Sequence, residues 1–164
     1  MPYAGFWIRV VASLIDSLIL IVPTVLIVWF ASPPMAADLE QAQPGILPWL
    51  MVAAVEWIYF AGLESSESQA SIGKRIVNIV VTDAEGQRIP FSVASMRAWP
   101  MYLPTLGVAL AVLADTPAAQ VLTGLAAFVS CVAVAFTQRK QGFHDMMANC
   151  LVVYKTGSLP AGNG

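Results

Sequence analysis

Two cysteines, a single histidine, eight basic and ten acidic residues are a thin supply of reactive side chains for 164 residues. With His144 alone, no His-Glu-x-x-His and no cysteine pair at ligand spacing, the usual transition-metal centres are excluded. No nucleophile elbow is present, and Gly73-Lys74 lacks the preceding glycine of a phosphate-binding loop. Nothing therefore supports catalysis, and no cofactor is expected. A net charge of -2 gives no basis for nucleic-acid binding. Charged residues make up 11% of the chain, against about 25% in a soluble domain.

What is abundant is apolar surface. Hydrophobic residues are 58% of the chain and mean hydropathy is +0.72, so an integral membrane protein is the expected class. Four segments, about 6–30, 46–63, 93–114 and 121–136, can each cross ~30 Å of hydrocarbon. The first is too long for a cleaved signal peptide, and Asp16 interrupts it. The fourth has only about 16 apolar residues, so it stands untilted or borrows Thr137 and Gln138.

Orientation follows from the basic residues. Arg9, Lys74, Arg75, Arg88, Arg97, Arg139, Lys140 and Lys155 all fall before the first segment's middle, between the second and third, at the start of the third, or after the fourth. The loops 31–45 and 115–120 have none, so the positive-inside rule places both termini and the loop 64–92 in the cytoplasm. A location in the inner (plasma) membrane of a prokaryote is expected. Cys131 lies within the fourth segment and Cys150 on the cytoplasmic side, which argues against a structural disulfide.

The loop is too patterned for a linker. Ile76 to Thr82 is β-branched, Asp83-Ala84-Glu85-Gly86 is a turn signal, and Gln87 to Phe91 is expected to return as a second strand. Cys150 to Lys155 reads as another short strand. A helical turn from Ser71 would bring Lys74 and Arg75 to anionic lipid headgroups. The expected fold is an all-α membrane protein: four transmembrane helices with a small cytoplasmic β-hairpin or sheet, one domain over 1–155, and a disordered tail over 156–164.

Three stretches carry a resemblance. Ala4-Gly5-Phe6-Trp7-Ile8-Arg9 followed by Asp16, then Ser71-x-Gly73-Lys74-Arg75, then Gln141-Gly142-Phe143-His144-Asp145-x-x-Ala148 together resemble the RDD family of small membrane proteins. By position Arg9, Asp16 and Asp145 match the arginine and two aspartates behind that name. The chain departs from the family pattern after Arg75, with Val77-Asn78-Ile79 where Gly-Leu is usual. The resemblance implies cation/proton antiport, as described for some relatives, or association with larger membrane assemblies.

The residues allow two uses of these charges. Asp16 lies about 15 Å along its helix from Phe6, near the expected bilayer midplane, on the same face as Arg9. Facing lipid there, an ionised carboxylate costs at least about 2.5–3.5 kcal/mol. With Glu56, the other acid at depth, it can offer oxygens to a monovalent cation or exchange that cation for a proton. Structurally, Arg9 can instead tie the first helix to Asp145 while Asp16 bonds neighbouring polar groups. Arg97 is expected to snorkel to the interface. His144 is expected as a cap or surface residue, or as a proton relay at the cytoplasmic mouth. Pro100 and Pro104 are expected as accommodated kinks. Transport by four helices implies a homo-oligomer or a larger complex; the other reading is a non-transporting accessory or assembly subunit.

Overall fold

A computed structural model of the chain describes residues 2–31 and 45–155. The loop 32–44 and the tail 156–164, where an uncharged-or-acidic loop and a disordered tail were expected, lie outside the described residues. Helix α1 (Phe6–Ala31) holds 26 residues and includes Pro23, a length of about 39 Å at 1.5 Å per residue. Helices α2 (Ile46–Glu64) and α6 (Ala118–Phe136) have 19 residues each. These three are long and apolar enough to cross a membrane.

The third expected segment is two helices. Helix α4 (Phe91–Arg97) and α5 (Trp99–Ala114) meet at Ala98 with a bend of 58°. Pro100 explains the break, because it has no N–H to give and its ring would strike the carbonyl four residues back. Counted as one span, the pair brings the total to four among the described residues. Pro104, by contrast, is accommodated inside α5. Helix α6 gains its length at Ala118 to Gln120, not at Thr137 and Gln138. Thr137 is already extended and its hydroxyl bonds Gln141, accepting from the backbone N–H at 2.7 Å.

A tight corner joins α5 to α6, with Asp115 at φ 48°, ψ 43°. The two helices pack closely because position 107 is glycine: a Cβ there would lie 1.8 Å from Thr123 Oγ1.

The remaining elements form a cap over one end of these helices. They are α3 (Ile72–Ile76), β1 (Ile79–Asp83), α4, α7 (Phe143–Met147) and β2 (Cys150–Tyr154). The expected hairpin from 76 to 91 does not form. Strand β1 instead pairs antiparallel with β2, Ile79 opposite Tyr154 and Asp83 opposite Cys150. Asp83 Oδ1 accepts the backbone N–H of Gln87 at 2.6 Å, closing the turn. The chain then reaches Pro90, which lacks a ladder donor and sits at the N-cap of α4. On the other edge of β2, Tyr3 bridges Val153 and the Ala4 N–H donates to the Val152 carbonyl at 2.8 Å.

The tightest core is in this cap. Ile79, Val81, Ile89, Ala94, Cys150 and Val152 are buried there against Ala4, ahead of α1, and against Ala12 and Ala61 of the first two helices. The long helices leave most of their apolar side chains bare, Leu18, Val22, Leu122 and Val129 among them, as lipid-facing helices do.

Candidate functional site

Five charged side chains, each from a different helix, meet under the cap. Asp145 of α7 is the centre. Its Oδ2 accepts from Arg9 Nη1 at 2.5 Å, and its Oδ1 accepts from Arg97 Nε at 3.0 Å and Nη2 at 2.8 Å. Arg97 Nη1 also donates to Glu64, the last residue of α2, whose second oxygen accepts from Lys74 Nζ. Arg9 is fixed further by donating to the carbonyls of Ala4 at 3.1 Å and Lys140 at 2.5 Å. The result is a continuous line from Arg9 through Asp145, Arg97 and Glu64 to Lys74.

Burial sets the electrostatics. Asp145 is wholly buried; burial alone would raise its pKa, but Arg97, His144 and Arg9 overrule it and hold the carboxyl well below the ordinary range. Burial also pulls the Lys74 ammonium below its usual value, against the pull of Glu64. His144 is buried, which with Arg97, Arg9 and Lys74 lowers it to about 4 despite Asp145. The neutral ring fits its contacts. Ser130 Oγ accepts the His144 backbone N–H at 3.1 Å, so its own proton is free for Nδ1 at 2.9 Å, leaving Nε2–H for Asp145 Oδ1 at 3.3 Å.

Asp16 is not part of this line. Its Oδ1 accepts from the Tyr59 hydroxyl at 2.7 Å and the Gly73 N–H at 2.7 Å, and its Oδ2 accepts from the Ser71 hydroxyl at 2.5 Å. Arg9 and Asp16 share a face of α1, yet Arg9 turns to α7 while Asp16 receives the first turn of α3. A glycine is needed there. A Cβ on residue 73 would sit 2.1 Å from the Ala12 carbonyl oxygen and 2.9 Å from the Asp16 carboxylate.

Several expectations change accordingly. Arg97 does not snorkel: it is 3% exposed and bonded to two carboxylates. Lys74 is not splayed outward: its ammonium is held by Glu64, whereas Arg75 is exposed. His144 is neither a cap nor a surface residue. Asp16 and Glu56 do not line one cavity. Glu64 was missed, because it closes an apolar run and heads the polar stretch Glu64-Ser65-Ser66-Glu67; only its place one residue beyond a span marks it.

Two cavities lie among these helices, and one of them reaches the network. One of about 220 Å³ lies between α1, α2 and α5, lined by Ser13, Ser17, Thr24 and Glu56 with apolar neighbours. Glu56 Oε2 is buried there without a hydrogen-bond partner. The other, about 310 Å³, is a groove between α1 and α6 with apolar walls and Arg9, Glu64, Lys74, Arg97 and His144 at its closed end. No group of three or more potential metal-ligating side chains occurs among the described residues.

Comparison with known proteins agrees with the motif reading. The family model that matches is that of the RDD family, over residues 3–149. Two relatives from Bacillus subtilis (strain 168) are similar over most of their length. "Uncharacterized protein YxaI" is 25% identical over 93% of this chain and 97% of its own. "Uncharacterized protein YckC" is 26% identical over 93% and 85%. No solved structure matches.

Proposed function

The chain belongs to the RDD family, and from that premise we propose that it takes part in cation/proton exchange across a membrane, with Glu56 as the exchanging carboxylate. The observation that carries this reading is the unpartnered Oε2 of Glu56 beside a cavity whose wall includes three hydroxyl side chains. Carboxylate and hydroxyl oxygens are the ligands a hard monovalent cation prefers, and a carboxylate left open at membrane depth is the group that trades it for a proton. The arginine and aspartates of the family motif serve a different purpose. Their carboxylate oxygens and three of the five Arg9 donors are taken up within the chain, so they frame the bundle on which Glu56 is carried. The basic residues cluster at the cap end, which the positive-inside rule assigns to the cytoplasmic face of a plasma membrane. Few helices enclose the cavity, so a homo-oligomer completes the pathway.

A non-transporting accessory role is the second reading. It is favoured by the same engagement of Arg9, Asp16 and Asp145, and by the bare surfaces of α1 and α6. Purified protein in proteoliposomes separates the two. Transport predicts proton efflux driven by external Na⁺ or K⁺, abolished in Glu56→Gln and retained in a folded Asp16→Asn variant. No ion-driven flux from the wild-type protein overturns it, and a stoichiometric partner recovered from gently solubilised membranes then supports the accessory role.

A further inference from the structure

The groove between α1 and α6 borders the Glu56 cavity at Ser13, Ser17 and Met101 and has two unlike halves. Along its walls run Phe6, Val10 and Leu14 of α1 and Phe128 and Val132 of α6. At its closed end three cations, Arg9, Lys74 and Arg97, are lined up with one carboxylate, Glu64. The other carboxylates that balance them are not on the lining, since Asp145 is buried behind and Asp16 is turned toward α3. Arg9 and Lys74 keep 11% and 12% of their side chains exposed. Lys74 Nζ has three protons and uses one on Glu64. Three cations against two carboxylates leave the line with one uncompensated positive charge beside apolar walls, a place where an anion is favoured.

We propose that this groove binds one acidic phospholipid, its phosphate against Arg9, Lys74 and Arg97 and an acyl chain along Val10, Leu14 and Phe128. Charge selects the head, because phosphate oxygens accept from guanidinium and ammonium donors together. Charge also argues against a partner helix, whose apolar face would leave the cations on the lining with Glu64 as the only anion beside them. An acyl chain is thin enough to enter, and the volume falls at the small end of ligand sites.

The test uses the full chain in neutral detergent, titrated with short-chain phosphatidylglycerol, phosphatidylcholine of the same chains, or inorganic phosphate. Binding is read by thermal shift and by the mass of the intact complex. Phosphatidylglycerol is expected to saturate at one per chain, at least tenfold tighter than phosphatidylcholine and weakened by salt, with inorganic phosphate giving no comparable shift. Val10→Trp fills the groove without touching a charge and is expected to lower phosphatidylglycerol affinity at least tenfold. Leu113→Trp, on an exposed position of α5, is expected to change nothing. Should Val10→Trp fail to fold, Val132→Trp blocks the groove from the opposite wall. Equal affinity for the two lipids, equal binding of inorganic phosphate, or full binding to a groove-filled variant overturns the proposal.

Discussion

Arg9 and Asp145 stand 136 positions apart and meet at 2.5 Å between Nη1 and Oδ2. The contact joins the first helix to the cap, and Arg97 approaches the same carboxylate from the other side. Buried Arg97 and half-buried Arg9 thus share one anion, with Glu64 as a second partner for Arg97 alone. Removing that anion leaves both without it, a larger loss than an ion pair's net worth suggests.

Asp145→Asn is therefore expected to destabilise the protein by about 3–5 kcal/mol, the range for breaking a buried ion pair. Thermal unfolding in detergent measures it. Glu85→Gln, on an exposed turn, is the control and should stay within about 0.5 kcal/mol. A small effect of Asp145→Asn would mean that the arginines find other partners.

Asp16 makes a graded prediction. Asparagine keeps one carbonyl oxygen for the Gly73 N–H and the Tyr59 hydroxyl, and Ser71 can reverse its hydroxyl to accept from the amide. Leucine keeps none of the three bonds. Asp16→Leu should exceed Asp16→Asn by at least about 2 kcal/mol in the same unfolding measurement, since bonds to a charged group contribute about 1.5–3 kcal/mol each. Equal losses would mean that charge alone matters at this position.

Gly73→Ala tests how closely α3 seats on α1. With backbone at 2.1 Å from the new methyl, the turn must lift away, at a cost of about 1–3 kcal/mol or more. Proteolysis between 65 and 78 should speed up in step. Gly124→Ala, which meets nothing within 4 Å inside α6, should be neutral or gain up to about 1 kcal/mol from helix propensity.

The buried imidazole gives stability a pH dependence of definite sign. His144 has a native value of about 4 against an ordinary 6.5, so below pH 6.5 the unfolded chain takes up a proton that the native state refuses. Stability is full above that value and falls as pH drops from about 6.5 toward 4. Asp145 adds its own loss only below the ordinary carboxylate value of 3.8. The melting temperature should fall between pH 7 and pH 5 in the wild type. In His144→Asn, which starts less stable, that fall should shrink; an unchanged slope would trace it to other groups.

The spans were legible because long apolar runs leave few alternatives, and Arg9 and Asp16 because each is conspicuous in such a run. The tie from Arg9 to Asp145 was one of the two uses read for these charges, and it forms; the other partners were not legible. Glu64, Lys74 and Arg97 all lie where an apolar segment meets a polar one, where an outward and an inward charge look alike in sequence. Which way Arg97 points depends on the 58° bend before α5, and that angle is a matter of packing around Pro100. The small sheet forms from the first and last of the expected strands, and only the hairpin fails, for a related reason. Local turn chemistry at Asp83 to Gly86 argued for a hairpin, but Pro90 cannot donate and the partner of Ile79 is Tyr154, beyond two further long helices. Asp16 shows the reverse limit: its importance was plain, but its donors, Ser71 and Gly73, belong to a loop whose seating no periodicity encodes.

Tyr3 bridges Val153, and among the described residues each helix long and apolar enough to cross a membrane lies between those two positions. The cap can close only after the ribosome has released the last strand, when those helices have been made. Until then Arg9 and Arg97 have no Asp145, so insertion and closure are successive steps in biogenesis. A chain halted before residue 145 would hold Arg9 without its carboxylate and Arg97 with Glu64 alone.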